Sequence, residues 1–411
     1  MLFLMMAWRN VWRNRRRSVL TVSAIALSLA FNILMRGIGD GFHEQMVDNS
    51  VRANIGHIEV HRRGYHDDPG LNRTLPDPER VDRAIRTLPH LRGSSQRVLG
   101  DGLASTADNS AGIAIVGIDP ARELTVTTIR RAVVEGTYLP ANEVRPLLVG
   151  DRLAATLRAK LGDKVVLLVQ AADGSMGAQL FRLTGIFRSG APELDRGVAY
   201  VLLADAQELF ALGHRVTEAV VLLDSSAAVP AAQEALQAAL STPAVGSYEV
   251  LSWSQVEPFL EQFIVLDDAF FYIIVAILFI VIAVGILNTI LMSVFERVRE
   301  FGVMMALGTR PRQVVLLVVL EAAVLAMVGM AVGGTLGSLA TLYFAEAGIN
   351  LASFAEGAAS IGITTTTIYS KLTVANVVLS NLAVFALVVL VSIHPAVHAA
   401  RLPPVEAIRH V

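Results

Sequence analysis

Four long apolar runs constrain this chain more than any other feature: Ser18–Met35, Ala269–Phe295, Val314–Phe344 and Val374–Ile393. Each supplies roughly the 20 residues needed to cross a hydrocarbon core about 30 Å thick. A charge at mid-bilayer costs about 2.5–3.5 kcal/mol on insertion scales, and only Glu321, near the start of the third run, breaks the charge-free pattern. Two readings of Glu321 follow: a buried relay carboxylate, or an interfacial or helix-paired residue. The second is the simpler. The chain is 54% hydrophobic and 17% charged, and most of that charge lies outside the runs. Membrane spans plus one water-facing domain account for this unevenness.

A net charge of −2 gives no electrostatic case for nucleic acid, and the absence of cysteine excludes disulfides and thiolate metal sites. The first run follows Arg9, Arg13, Arg15, Arg16 and Arg17, as a secretory signal would. No small-x-small cleavage site closes it, and Met35-Arg36-Gly37 follows, so it reads as an uncleaved anchor. Arginine bias sets the orientation. The amino terminus, the 296–312 segment (Arg297, Arg299, Arg310, Arg312) and the tail (Arg401, Arg409) are basic, whereas the 345–373 connection carries Lys371 against Glu346 and Glu356. Both termini are therefore expected in the cytoplasm and the large central segment outside. The resulting division is a basic segment 1–17, spans at 18–40, 267–295, 313–344 and 374–394, an outer domain 41–266, a cytoplasmic element 296–312, an outer loop 345–373 and a tail 395–411.

The outer segment reads as mixed α/β. "HIEVHRRG" alternates like a strand, with Ile58 and Val60 on one face and His57, Glu59 and His61 on a polar, solvent-facing one. In "PDPERVDRAIRTL", Val81, Ala84, Ile85 and Leu88 fall at helical spacing, with Asp77 as the cap before Pro78. "SSQRVLG" follows as a strand. The order recurs at the far end: "TEAVVLLD", "VPAAQEALQAAL", "SYEVLSW". Two βαβ units around a long insertion predict a split, ferredoxin-like layer. Inside the insertion, "GIAIVGID", "DKVVLLVQ", "QLFRLTGIF" and "GVAYVLLA" predict a β-rich piece. Apolar stripes at Phe42, Met46 and Val47, and at Trp253, Val256, Leu260, Phe263 and Ile264, predict helices continuing out of the membrane as stalks.

Catalytic motifs are lacking. No G-x-x-x-x-G-K-[ST] occurs, so the chain cannot bind ATP through a P-loop, and it reads as no enzyme. His57, Glu59, His61 and His66 with Asp67 and Asp68 invite a metal reading, but a polar strand face has the same spacing and is preferred. Asn32, Asn288 and Asn381 are interhelical hydrogen-bond candidates, and Gly329, Gly333, Gly334 and Gly337 give small faces for close packing within this chain or across a dimer. The segment "ERVREFGVMMALGTRPR" remains. Glu296, Arg297, Arg299 and Glu300 precede Phe301, Val303, Met304 and Leu307, then Gly308 stops the helix and Arg310-Pro311 starts another. Composition alone leaves open a topology-setting loop and a rigid lever that docks a soluble partner.

"ERVREFGVMMALGTRPRQVVLLVVLEAAVLAMVGMAVGGTLG" resembles the signature of FtsX-like (type VII) ABC permeases, which include MacB and LolC/LolE proteins. "AWRNVWRNRRRSVLTVSAIALS" is similar to their amino-terminal anchor and "HPAVHAARLPPVEAIR" to their tail. The resemblance implies four transmembrane helices plus an extracytoplasmic α/β domain: a porter-like layer with a β-rich insert. It implies a multi-pass protein of the bacterial inner membrane that transmits motion from cytoplasmic ABC ATPase subunits, working with a second permease copy or a paired permease. ATP and magnesium would belong to the ATPase, with no cofactor in this chain, and a fused ATPase of the MacB kind is not expected before Met1. Glu296, Arg297, Arg299, Glu300, Gly308, Arg310 and Arg312 would form the coupling element, Arg299 and Glu300 as ionic contacts and Gly308 as hinge. "NIGHIEVHRRGY" resembles LolE-like permeases and tilts the reading to lipoprotein release from the inner membrane, with a periplasmic adaptor or lipoprotein as partner. The alternatives are a MacB-like efflux permease and an FtsX-like regulator of a cell-wall enzyme.

Overall fold

The computed structural model describes residues 2–140, 142–241, 248–350 and 367–401. The 402–411 tail, with Arg409, and the 351–366 part of the outer connection, with Glu356, lie outside the described residues. The chain divides into two compact units. One comprises Met1–Gln45, Phe263–Asn350 and Thr367–Val411, the other Met46–Gln262 and Leu351–Thr366.

In the first unit, four helices are long and apolar enough to cross a membrane: Arg15–Ser50, Pro258–Glu296, Pro311–Ala347 and Val374–Arg401, the first being followed directly by a π-helical turn, Val51–Ile55. A shorter helix, Leu2–Arg13, precedes them. Their shared core repeats at one-turn spacing, as in Ile25, Leu29 and Ile33, or Ile282, Ile286, Ile290 and Val294. The glycine stripe of the third helix sits against the first. A Cβ at Gly333 would lie 2.4 Å from the Ala26 carbonyl oxygen, and one at Gly337 2.8 Å from the Ala30 Cα. Close backbone approach of this kind is what small residues permit between membrane helices. A Cβ at Gly334 would instead lie 3.5 Å from the Asn381 side-chain amide. Of the three asparagines, Asn32 accepts a 2.8 Å bond from Ser380 on the fourth helix. Asn381 donates to Val377 of its own helix, and Asn288 is exposed.

Ion pairs mark both ends of the apolar slab. Arg17 pairs with Glu296 at 2.6 Å. At the other end Arg36 bonds Asp40 at 2.9 Å and Asp268 at 2.6 Å, while His43 meets Asp267 at 2.8 Å. Arg17 and Arg36 are 19 residues apart in the sequence, or about 28 Å along a helix at 1.5 Å per residue. That is close to the hydrocarbon thickness.

The second unit is built on one ten-stranded sheet. Its strands in chain order are β1 Ile58–Arg62, β2 Leu91–Ser105, β3 Ser110–Ile118, β4 Val133–Gly136, β5 Pro146–Gly150, β6 Lys164–Gln170, β7 Met176–Phe187, β8 Val198–Leu202, β9 Glu218–Leu223 and β10 Tyr248–Ser252. The sheet order begins β10-β1-β9-β2, all antiparallel, with the helices Pro78–Arg86 and Val229–Leu240 joining β1 to β2 and β9 to β10. This is the split βαβ arrangement read from the sequence. Strands β3 to β8 form the insert between β2 and β9. Asp77 caps the first helix by accepting from the Arg80 N–H at 2.9 Å, and Val81 and Ile85 face the core. Val229, Ala232, Leu236 and Leu240 do the same for the second helix.

Two expectations need correction. His57, Glu59 and His61 do not face solvent: they are 4%, 6% and 2% exposed. β1 is an inner strand paired on both edges, and its polar side is covered by Tyr65, whose ring stacks on His61 at 4.8 Å. The stripe beginning at Trp253 is also not one helix with the second span. A short helix, Trp253–Val256, ends at Glu257 (φ −118°, ψ 71°), and the long helix starts at Pro258. Proline disfavours helical backbone in the residue before it.

Candidate functional site

Residues 296–312 fold as a short helix, Val298–Ala306, between two spans. Phe301 anchors it: the ring is 1% exposed and belongs to the core of the membrane unit. The helix ends in a Schellman turn. Thr309 N–H bonds the Met304 carbonyl and Gly308 N–H that of Met305, both at 3.0 Å. Gly308 has φ +100°, a region closed to side chains with a Cβ. Pro311 occupies the first turn of the next helix, and the Gln313 side chain accepts from Arg310 N–H at 2.8 Å.

Ionic contacts fasten this element. The Arg297 guanidinium, 7% exposed, donates to both oxygens of Glu321 at 2.8 and 2.9 Å and lies over the Phe301 ring. Asn10 on the amino-terminal helix donates to the same Glu321 at 2.6 Å. Glu321 is thus a helix-paired residue, the simpler of its two readings. Glu300 accepts from Arg13 and Arg297, both at 2.9 Å. Burial pushes its carboxyl up, but bonds from Arg13 and Arg297 outweigh that and hold it below its ordinary value.

The predicted coupling residues therefore separate into two groups. Glu296, Arg297 and Glu300 have internal partners. Arg299, Arg310 and Arg312 are exposed and form no ion pair among the described residues. Beside them stand Val303, 45% exposed, and Leu307, 84% exposed. The sequence reading missed Asn10, Arg13 and Arg17 as fasteners. The signal was available: basic residues before the first span and acidic ones after the second sit at the same membrane depth.

The mixed unit holds a second polar constellation. Arg97 on β2, 1% exposed, grips Glu123 at 2.6 and 3.1 Å, donates to the Asn54 carbonyl at 2.8 Å and reaches Glu218 on β9 at 3.2 Å. Thr127 adds a bond to Glu123 at 3.1 Å. Burial, reinforced by Glu59, pushes the Glu218 carboxyl up to about 7 against the opposing pull of Arg97 and His61. His61 meets Glu59 at 2.9 Å. His57 turns to the neighbouring backbone instead. Its Nδ1 accepts from Leu223 N–H at 3.0 Å, and burial lowers its pKa.

Four apolar helices, a fastened connecting element and a mixed α/β unit with a split βαβ core define a multi-pass membrane protein. A family model described as MacB-like periplasmic core domain matches residues 18–239, and one described as FtsX-like permease C-terminal matches 272–404. The chain belongs to the FtsX-like ABC transporter permeases with a MacB-like periplasmic core domain. Among curated relatives, the lipoprotein-releasing system transmembrane protein LolC of Xylella fastidiosa is 21% identical, over 96% of this chain and 94% of its own length. The pyoverdine export ATP-binding/permease protein PvdT of Pseudomonas aeruginosa is 27% identical, over 79% of this chain and 48% of its own length. The crystal structure of the periplasmic region of MacB from Actinobacillus actinomycetemcomitans superposes with a TM-score of 0.36 at 12% identity, over 51% of this chain and 94% of that one.

Proposed function

We propose that this permease passes the motion of a separate cytoplasmic ABC ATPase, holding ATP and magnesium, to its mixed unit on the far side of the inner membrane, and that the motion serves the release of lipid-anchored protein cargo. The observation that carries this reading is the division of labour in 296–312. Its buried side is clamped by Arg297–Glu321, while Arg299, Val303, Leu307, Arg310 and Arg312 face outward. A clamped element moves its helices when pushed, and an exposed face with both charge and apolar surface offers a partner something to grip. The arginine bias supports cytoplasmic placement of that face and of both termini. The likeness to LolC along nearly the whole chain supports the cargo class. The permease works as a dimer, with itself or with a paired permease.

The test is ATPase stimulation by the partner subunit in proteoliposomes. Arg299→Glu combined with Leu307→Asp is expected to weaken docking by about 10-fold or more, the equivalent of roughly 1.4 kcal/mol, with insertion and thermal unfolding unchanged. Undiminished stimulation would retire the lever. Gly308→Val probes the turn instead. Forcing a β-branched residue to φ +100° costs about 1–3 kcal/mol. Coupling should fall while the four spans remain inserted; wild-type stimulation would show the turn to be dispensable. Co-purification of a lipoprotein supports the cargo class, whereas recovery of a cell-wall hydrolase replaces it with a regulatory role.

A further inference from the structure

We propose that Glu59, His61 and Glu218 form a binding site for a divalent transition-metal ion of the zinc class. Each offers a ligand atom, and these atoms all lie within 4.8 Å of one another. The fold brings them together by two rules. Glu59 and His61 are two residues apart on β1 and so share a face. Glu218 on β9 stands directly opposite His61 in the antiparallel register. The three side chains are 8%, 3% and 4% exposed.

The plain alternative is a satisfied polar network inside a sheet face, and the structure counts against it twice. Three buried carboxylates, Glu59, Glu123 and Glu218, have one buried guanidinium among them, Arg97. Glu123 takes the two-pronged contact and Glu218 the single one at 3.2 Å, which leaves the buried Glu59 with His61 as its one cationic partner among the described residues, and a buried carboxylate needs a partner. A divalent cation supplies one. Second, the His61 Nδ1 is buried without any hydrogen-bond partner, in a class of atoms that is nearly always satisfied. Metal entry at Nε2 requires the proton now directed at Glu59 to move. The ring ligates in its neutral form with its remaining proton on Nδ1, and any proton beyond that one is released when the ion binds.

Size and chemistry fit. Bonds of about 2.0–2.2 Å to nitrogen and carboxylate oxygen place neighbouring ligand atoms roughly 3.4 Å apart. The His61–Glu59 pair is already at 2.9 Å, so closing on an ion needs a shift of about an ångström in the third ligand. The parallel Tyr65 ring, 12° from the His61 plane, fixes the imidazole. One imidazole and two carboxylates suit zinc; calcium takes six to eight oxygens. The ion would join β1 to β9, the first strands of the two βαβ halves.

The test uses the full chain in detergent, stripped with a chelator and titrated with Zn²⁺ and with Co²⁺. One ion per chain, a Co²⁺ visible absorption band and a raised unfolding temperature of the mixed unit are expected. Glu218→Gln keeps shape and removes a buried charge, so it folds. It should weaken Zn²⁺ binding by more than the roughly 10–100-fold that loss of an outer-shell partner costs. His61→Ala should abolish the Co²⁺ band. No Zn²⁺ bound by the stripped wild type, equal binding by Glu218→Gln, or equal stabilisation by Ca²⁺ would each overturn the site.

Discussion

Replacing Glu321 with alanine is expected to lower the unfolding free energy of the membrane unit by about 3–5 kcal/mol, the cost of leaving one partner of a buried pair without the other. Arg297 would keep its charge at 7% exposure, with no carboxylate except the half-exposed Glu300. The neighbouring pairs set the scale. Arg13–Glu300 has side chains 54% and 46% exposed, and Arg17–Glu296 21% and 42%. Exposed pairs of this sort contribute at most about 1 kcal/mol. Single replacements at Arg13 or Glu296 should therefore barely move the unfolding temperature. The double variant Arg297→Met/Glu321→Leu removes both charges and should recover most of the loss. Coupling should track the same order: ATPase stimulation falls in Glu321→Ala and returns in the double variant, because the element needs a fastening and not a charge. A Glu321→Ala protein with wild-type unfolding would show that the clamp fastens nothing.

Much of this architecture is legible from residue order. The spans follow from length and charge exclusion, and the split βαβ layer follows from strand–helix–strand order at both ends of the outer segment. Gly308 was legible as the stop between two helices, and its φ of +100° is what the structure adds. What was not legible has identifiable causes. Period-2 alternation in His57–His61 says which residues share a face, but not whether that face meets water. Here that face is buried, with Tyr65 stacked on His61. The break at Glu257 was written in Pro258, yet an apolar stripe on both sides hid it. The fasteners of 296–312 come from residues 10–17, some 280 positions away in sequence, and only the shared membrane depth of basic and acidic residues, not a local pattern, reports such a contact. Strands β4 and β5 escaped notice because they are short and lie among turns.

Arg97→Ala is expected to be the most damaging single change in the mixed unit. The guanidinium is wholly enclosed and serves three groups: Glu123, Glu218 and the Asn54 carbonyl. Its loss leaves two carboxylates, 0% and 3% exposed, without their cation, at a cost of about 3–5 kcal/mol out of a typical total of about 5–15. Lysine cannot replace the planar fork that holds Glu123 by two bonds, so Arg97→Lys should recover only part of the loss. The Asn54 contact gives the effect a direction. Asn54 lies in the π-helical turn Val51–Ile55 at the end of the first long helix, and a second bond, from Thr128 N–H to the Arg52 carbonyl, ties the same turn down. Under the proposed function, these two attachments are where a push along that helix would reach the sheet. Hydrogen exchange should therefore accelerate first at the amides of 51–55 and of β2 and β9 in Arg97→Ala, with stimulated ATPase activity losing its effect on the mixed unit. Unchanged protection at 51–55 would place the delivery of force somewhere other than Arg97.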